Sequence, residues 1–219
     1  MTDARKFKGF IFDLDGTLLD TLPDLIQITN KTLKHFSFPT RTHDEILSYV
    51  GDGAYKLIYR ALPECASKKT CEETLEYWTA LYPKEGLELT KPYAGLEYTL
   101  QQLREKGCKL SVLSNKYEQG VLDVCNKYLP NYFDTLHGEG EGFPRKPDPT
   151  GLLKVLDELN LRANESAYVG DSAGDVNVAK RAGCFAVGVS WGYNQVSTLK
   201  AAGADVIIDT PSELLRFAQ

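Results

Sequence analysis

Short apolar segments recur along this chain, and amphipathic stretches with a helical period separate them. This alternation is typical of a parallel sheet whose strands are joined by helices. We therefore predict an α/β fold with a Rossmann-like parallel sheet at its centre. The predicted strands are residues 7–12, 109–113, 133–136, 166–169, 185–189 and 205–208.

The segment between the first two predicted strands has a helical pattern instead. Apolar stripes over residues 22–36 and 75–82 predict two helices, and we expect Pro83 to end the second one. Thr42 and Glu45 have the spacing of a capping box, which predicts another helix start. The sequence thus predicts a small all-helical domain, residues 18–91, inserted into an α/β core domain formed by residues 1–17 and 92–219.

Charge and composition exclude several classes of partner. The net charge is −5 and no Lys/Arg cluster occurs, so we expect no nucleic-acid binding. The first residues lack the long apolar segment of a signal peptide or membrane helix, which predicts a cytoplasmic protein without membrane contact. The five cysteines show no CxxC spacing, so neither a disulfide framework nor a zinc site is expected. We expect a monomer or a homodimer.

The first predicted strand ends in two carboxylates, Asp13 and Asp15. Alternate side chains of an extended chain share a face, so both carboxylates can point the same way while Leu14 points into the core. Like charges at close range push their pKa values apart unless a cation intervenes. One carboxylate can then act as a nucleophile and the other as a proton carrier beside a metal ion. The alternative is an ordinary turn after a strand.

Polar residues also follow three other predicted strands. Ser114 and Asn115 come after the second strand, Lys146 lies beyond the third, and Asp171 and Asp175 follow the fourth. Each could be a simple turn, a helix cap or a solvated loop charge. The carboxyl ends of parallel strands meet at one edge of a sheet, so all of these residues are expected at a single site. Two acidic pairs there would suit Mg²⁺.

These segments together resemble the haloacid dehalogenase superfamily of phosphatases over essentially the whole chain. The helical insertion after the first motif resembles the cap of the subclass that includes the phosphoglycolate phosphatases. The four core motifs match in order, at residues 13–17, 114–115, 146 and 170–175. Three further segments are most similar to phosphoglycolate phosphatases, at residues 50–54, 146–149 and 188–194.

The resemblance implies a role for each acidic residue. Asp13 is expected to be the nucleophile that forms an aspartyl-phosphate. Asp15 is expected to protonate the leaving oxygen and then to take a proton from the hydrolytic water. Mg²⁺ is expected because one like-charge contact costs about 4 kcal/mol at 4 Å even at an effective dielectric of 20. Its predicted ligands are Asp13, the main-chain carbonyl of Asp15, Asp171 and, directly or through water, Asp175.

The remaining predicted contacts concern the substrate. Lys146 is expected to offset negative charge at the site and to hold Asp13 in place. Thr17, Ser114 and Asn115 are expected to bind the phosphoryl oxygens.

The inserted domain is expected to choose the substrate. Gly51, Asp52 and Gly53 lie between two predicted helices, where glycines let the backbone approach a ligand. Lys56 is either the counter-ion of a substrate carboxylate or an ordinary exposed lysine.

The predicted partner is a small phosphorylated metabolite, and the best candidate is 2-phosphoglycolate, hydrolysed to glycolate and phosphate. One alternative is a phosphotransferase of the β-phosphoglucomutase type. Another is a hydrolase of a different small phosphate, such as pyrophosphate, a nucleotide or a sugar phosphate. A binding module without turnover is a more distant alternative, because no expected catalytic position is missing.

Overall fold

The computed structural model describes residues 5–219, which form two compact units. One unit comprises the residues up to Asp20 together with Pro92–Gln219, and the other is Thr21–Lys91. Leu18 and Leu19, which the sequence analysis assigned to the insertion, belong to the first unit, where both side chains are fully buried.

Strands and helices alternate along most of the first unit, whereas the second is helical. The strands are β1 (Gly9–Phe12), β2 (Leu19–Asp20), β3 (Lys91–Pro92), β4 (Lys109–Tyr117), β5 (Thr135–Glu139), β6 (Ser166–Gly170), β7 (Phe185–Val189) and β8 (Val206–Ile208). The α-helices are α1 (Leu22–His35), α2 (His43–Tyr49), α3 (Gly53–Ala61), α4 (Lys68–Glu85), α5 (Leu96–Glu105), α6 (Glu118–Tyr128), α7 (Thr150–Glu158), α8 (Ala173–Ala182) and α9 (Val196–Ala202). Within residues 5–219, no helix has both the length and the apolar character needed to cross a membrane.

Six strands of the first unit form one parallel sheet in the order β5-β4-β1-β6-β7-β8. The central strand β1 pairs Phe12 with Val112 on one side and with Val169 on the other. The residues that follow these positions therefore emerge at the same edge of the sheet. This sheet and its flanking helices confirm the predicted α/β fold class.

The four residues of β1 are all buried, because helices cover both faces of the sheet. Ile11 packs on one face into a core that includes Leu152 of α7 and Val178 of α8. Phe12 points to the opposite face, where its ring lies 6.3 Å from that of Phe133. The apolar run thus fixes β1 firmly at the centre of the sheet, and the polar residues after it are held in place by that packing.

The strand β4 is longer than the sequence predicted. We expected it to end at Leu113, but the chain stays extended to Tyr117 and α6 begins at the next residue. The pairing register between β4 and β5 shifts between Leu113 and Tyr117. Ser114 and Asn115 therefore lie within this irregular strand end and are buried, rather than lying in an exposed turn.

In the second unit, the predicted capping box is confirmed at the start of α2, where Thr42 and Glu45 exchange hydrogen bonds. The prediction that Pro83 ends the helix containing residues 75–82 was wrong, since this helix, α4, continues to Glu85. Proline removes only its own N–H donor, and the next turn is still closed by Gly86 N–H, which donates to the Tyr82 carbonyl at 2.8 Å.

A buried carboxylate ties the two ends of the second unit together. Asp24, in the first turn of α1, is fully buried. Its side chain accepts hydrogen bonds from the backbone N–H groups of Glu88, Leu89 and Thr90 and from the Thr90 hydroxyl. Asp24 therefore satisfies the backbone of the segment that leads to β3.

Candidate active site

The site is built at the carboxyl edge of the sheet, where three acidic side chains converge. Asp13 follows β1, Asp171 follows β6, and Asp175 lies in the first turn of α8. Each of the three offers a carboxylate oxygen within 4.8 Å of the others. The packing of β1 against β6 brings these side chains together, because Asp13 N–H donates to the Val169 carbonyl at 2.9 Å.

Lys146 lies among the acidic side chains and is buried. Its Nζ is 2.9 Å from Asp13 Oδ1, 2.6 Å from Asp175 Oδ1 and 3.0 Å from the Tyr168 hydroxyl. Burial by itself lowers the pKa of this lysine, but Asp13 and Asp175 outweigh that effect and hold the pKa well above its ordinary value. Lys146 is therefore a fixed cation whose three N–H donors all have partners.

Asn115 holds the backbone that carries this lysine. Its side-chain Oδ1 accepts a hydrogen bond from Lys146 N–H at 2.7 Å. The Tyr168 hydroxyl, which contacts Nζ, donates in turn to the Leu113 carbonyl at 2.6 Å. The end of β4 thus positions Lys146 through two separate contacts.

Burial and mutual repulsion disturb the acidic groups. The pKa of Asp13 rises to about 7 because the carboxyl is buried and lies near Asp175, although Lys146 opposes the rise. The pKa of Asp171 rises to about 6, again through burial and then through Asp175. Both shifts indicate that a further cation would be favoured beside these oxygens.

Asp175 is fixed from two directions. Its Oδ2 accepts from Ser172 N–H at 2.9 Å and from the Ser172 hydroxyl at 2.6 Å, which forms the capping box of α8. Its Oδ1 binds Lys146. Both oxygens of Asp175 are therefore engaged, which favours a supporting position for this residue.

Asp171 is held by the first loop and by the loop after β7. Its Oδ1 accepts from the Thr17 hydroxyl at 3.2 Å, and its Oδ2 accepts from Tyr193 N–H at 2.7 Å. A Cβ at Gly16, whose φ is +82°, would lie 2.7 Å from Asp171 Oδ2. Gly16 is therefore required both for its backbone conformation and for the space that Asp171 occupies.

The residues present fit a divalent cation. Asp13, Asp15, Asp171 and Asp175 supply four carboxylates, while the nearby ammonium groups are those of Lys146 and Lys116. Four negative and two positive charges leave an excess that one divalent cation balances. Carboxylate oxygens are also the ligands that Mg²⁺ prefers. The side chain of Asp15 is not part of the three-residue acidic cluster, and its predicted main-chain ligation stays a prediction.

The sequence analysis missed Lys116, which lies beside Asp15. Its Nζ is 3.4 Å from each Asp15 carboxylate oxygen, and its side chain is 4% exposed. The signal was present in the sequence, since Lys116 directly follows Ser114 and Asn115. We overlooked it because the strand was expected to end at Leu113.

The other predicted site residues of the first unit lie close to this group. The Thr17 hydroxyl donates to Asp171, Ser114 Oγ accepts from Lys116 N–H at 3.3 Å, and Asn115 accepts from Lys146. Their polar atoms thus support Asp171, Lys116 and Lys146. Direct contacts of Thr17, Ser114 and Asn115 with a substrate stay predictions.

Three aromatic residues of the first unit have structural contacts. Trp191 and Tyr193 brace the first loop, since Trp191 Nε1 donates to the Thr17 carbonyl and the Tyr193 hydroxyl donates to Asp20. His137 lies within β5, binds Glu158 at 2.6 Å and stacks on Phe143.

In the second unit, Asp52 has a cationic partner that the sequence analysis did not identify. Arg60 donates to Asp52 Oδ2 at 2.5 Å and to the Tyr49 carbonyl at 3.2 Å, and Lys56 Nζ lies 3.8 Å from Asp52. The charge of Asp52 is therefore balanced within its own helix. Gly51, with φ of +107°, leaves its surroundings open, since nothing lies within 4 Å of a Cβ placed there.

Comparison with known proteins gives a consistent result. The family described as "Haloacid dehalogenase-like hydrolase" matches residues 10–189 of this chain. A phosphoglycolate phosphatase of Vibrio parahaemolyticus is 33% identical over 96% of this chain and 96% of its own length. The phosphoglycolate phosphatase of Aquifex aeolicus is 35% identical over 94% of each chain.

Among solved structures, one described as a predicted phosphoglycolate phosphatase of Haemophilus somnus superposes with a TM-score of 0.89. The two sequences are 25% identical, and the match covers 97% of this chain and 98% of that one. The relationship therefore extends over both units of the chain.

Proposed function

Because the chain belongs to the haloacid dehalogenase-like hydrolase family and resembles its phosphatases, we propose that it hydrolyses 2-phosphoglycolate to glycolate and phosphate. The observation that carries the reaction class is the buried group of Asp13, Asp171 and Asp175 with Lys146 fixed between two of them. This group provides what phosphoryl transfer requires, namely a nucleophile and positive charge for the phosphoryl oxygens.

Asp13 is the proposed nucleophile. Leu14 N–H and Lys146 Nζ both bind its Oδ1, at 2.8 and 2.9 Å. Within residues 5–219, Oδ2 has no such partner, so this oxygen is the one proposed to attack phosphorus. The P–O bond to the alcohol breaks as the Asp13–phosphoryl bond forms, which gives an aspartyl-phosphate. Contacts that hold one oxygen also orient the other, and orientation is a main source of rate in such a transfer.

Asp13 and Asp171 are proposed to hold Mg²⁺, with the Asp15 main-chain carbonyl as a further ligand and Asp175 in support. When bound, Mg²⁺ supplies positive charge that offsets the phosphoryl oxygens. Lys146 adds a second cation beside Asp13 and keeps Asp175 in place. The raised pKa values of Asp13 and Asp171 support this assignment, since burial and then repulsion from Asp175 raise them and a bound cation would favour the charged carboxylates.

Asp15 is proposed to carry the protons. It first donates a proton to the oxygen of the leaving alcohol. It then accepts one from the water that hydrolyses the aspartyl-phosphate, which returns Asp15 to its starting state and releases phosphate. Its position two residues after Asp13, with a side chain that contacts Lys116 rather than Lys146, supports this division of roles.

The helical unit is proposed to act as the domain that selects the substrate. Gly51 and Gly53 both have positive φ, with Asp52 between them and Lys56 nearby as a candidate counter-ion. Nearly full-length similarity to proteins named phosphoglycolate phosphatase supports 2-phosphoglycolate as the substrate. The alternatives are other small phosphates or a β-phosphoglucomutase type of transfer.

A panel of phosphate esters assayed with Mg²⁺ tests the substrate. We expect 2-phosphoglycolate to have the highest kcat/KM in a panel that also contains sugar phosphates, nucleotides and pyrophosphate. A low rank for 2-phosphoglycolate would remove the substrate assignment and leave the reaction class intact. Formation of an isomerised sugar phosphate without free phosphate would instead establish a phosphotransferase.

A further inference from the structure

We infer that Lys116 binds the carboxylate of the substrate's leaving group and so selects esters of 2-hydroxy acids. This inference rests on the proposed function and adds the residue that recognises the non-phosphoryl part of the substrate. It comes from the position of a lysine that neither the sequence motifs nor the phosphoryl chemistry required.

Lys116 is built into the site rather than lying on the surface. Its side chain is 4% exposed, and its Nζ lies 3.4 Å from both carboxylate oxygens of Asp15. The stem passes over the first turn of α6 at Gly120, where an added Cβ would lie 3.3 Å from Lys116 Cε and 2.8 Å from the ring of Tyr117. The absence of a side chain at Gly120 therefore gives Lys116 its path to Asp15.

The two buried lysines of the site serve different halves of it. Lys146 contacts Asp13 and Asp175 at 2.9 and 2.6 Å, on the side where the phosphoryl group is proposed to be transferred. Lys116 contacts Asp15, the proposed proton donor to the leaving alcohol. Positive charge for the phosphoryl group is thus already provided, and the charge of Lys116 lies where the leaving group departs.

Geometry then limits what Lys116 can recognise. A proton donor must lie within hydrogen-bond reach of the oxygen that it protonates, about 2.6–3.2 Å. Since Lys116 Nζ is 3.4 Å from the oxygens of Asp15, a group one carbon beyond the ester oxygen lies within its reach. In 2-phosphoglycolate that group is a carboxylate, which forms a charge-assisted hydrogen bond with an ammonium. In the phosphate monoester of ethane-1,2-diol it is an uncharged hydroxymethyl group.

The test compares 2-phosphoglycolate with 2-hydroxyethyl phosphate, which has a hydroxymethyl group in place of the carboxylate. The measured quantity is the ratio of their kcat/KM values at saturating Mg²⁺. We expect the wild-type ratio to favour the carboxylate and Lys116→Met to reduce it by about 30-fold, the effect of losing a close charge pair with a ligand. Lys116→Arg, which keeps the charge, should retain most of the ratio.

Two further lysine variants complete the experiment. Lys106→Met removes an exposed charge at the end of α5 and should leave the ratio unchanged. Lys56→Met tests the rival counter-ion in the helical unit. A ratio that depends on Lys56 and not on Lys116 overturns the inference. An equal loss of kcat/KM for both esters in Lys116→Met also overturns it, because this lysine would then act only through Asp15 or on the fold.

The wild-type enzyme separates this inference from the proposed function. Hydrolysis of both esters without preference for the carboxylate overturns the role of Lys116 while the phosphatase reaction stands. Hydrolysis of neither ester overturns the proposed function and this inference with it.

Discussion

Asp13 and Asp15 are two residues apart, yet their surroundings give them different chemistry. Asp13 binds Lys146, and its burial together with the nearby carboxyls of Asp175 and Asp171 raises its pKa to about 7. Asp15 faces Lys116 on the other side of the site and is partly exposed. A nucleophile held by a fixed cation and a proton carrier near solvent are the two roles that the proposed reaction needs.

Replacement of Asp15 should depend on the leaving group. We expect Asp15→Asn to lower kcat/KM for 2-phosphoglycolate by about 10²–10⁴-fold, the usual contribution of general acid–base catalysis. The loss should be clearly smaller for p-nitrophenyl phosphate, because p-nitrophenolate leaves without a proton. Steady-state kinetics with both esters measures this difference. Equal losses for the two esters would show that Asp15 does not protonate the leaving group.

At the scale of elements, the strand and helix predictions succeeded where apolar periodicity was strong. The strands β1, β6 and β7 are short, mostly buried runs and lie close to their predicted positions. The partly buried edge strand β5 begins at Thr135 rather than residue 133 and ends at Glu139 rather than residue 136. The sequence misjudged the end of β4, where Ser114, Asn115 and Lys116 are polar and yet buried. Burial of polar residues at a strand end depends on partners such as Lys146 and Asp15, which are distant in sequence.

The two glycines Gly16 and Gly107 have nearly the same φ, +82° and +80°, but different surroundings. A Cβ at Gly107 meets nothing within 4 Å, whereas one at Gly16 meets Asp171 and Tyr193. We expect Gly107→Ala to cost about 1–2 kcal/mol of the free energy of unfolding, from the left-handed backbone alone. Gly16→Ala should cost more and should also lower kcat/KM.

Urea unfolding and ester kinetics on the two glycine variants check this expectation. Gly107→Ala is the matched control, since it carries the backbone penalty without the contact with Asp171. If Gly16→Ala were no less stable and no less active than Gly107→Ala, the crowded position of Asp171 would be contradicted.

At the scale of the whole molecule, the sequence predicted the family, and it predicted that Asp13, Lys146, Asp171 and Asp175 lie together. It could do so because these residues follow strands whose carboxyl ends meet at one edge of a sheet. It could not predict the ion pair between Asp52 and Arg60 or the buried role of Asp24. Both depend on which side chains meet when helices pack, and hydrophobic periodicity does not specify that. The sequence also does not show whether a Lys or Asp side chain is exposed, because these residues are buried only when they have partners elsewhere in the chain.

The excess negative charge of the site should make the stability of the chain depend on divalent cations. We expect Mg²⁺ to raise the melting temperature, since a ligand at one hundred times its Kd adds about 2.7 kcal/mol to the free energy of unfolding. Asp171→Asn should reduce this gain by removing a proposed ligand. Exposed Glu76→Gln on α4 is the control and should keep it.

Calorimetry with and without Mg²⁺, after treatment with EDTA, measures the rise in melting temperature for the wild type and for each variant. An equal rise in melting temperature for wild type and Asp171→Asn would mean that the cation binds elsewhere. This readout does not depend on turnover, so it tests the metal site separately from the reaction.

The central claim is that Asp13 forms an aspartyl-phosphate, and acid quenching during turnover tests it most directly. Enzyme, Mg²⁺ and ³²P-labelled 2-phosphoglycolate are mixed and quenched, and borohydride then reduces any acyl phosphate to an alcohol that mass spectrometry can locate. We expect the reduced side chain at Asp13, and neither label nor turnover in Asp13→Asn. Label on another residue, or full turnover by Asp13→Asn, would contradict the account.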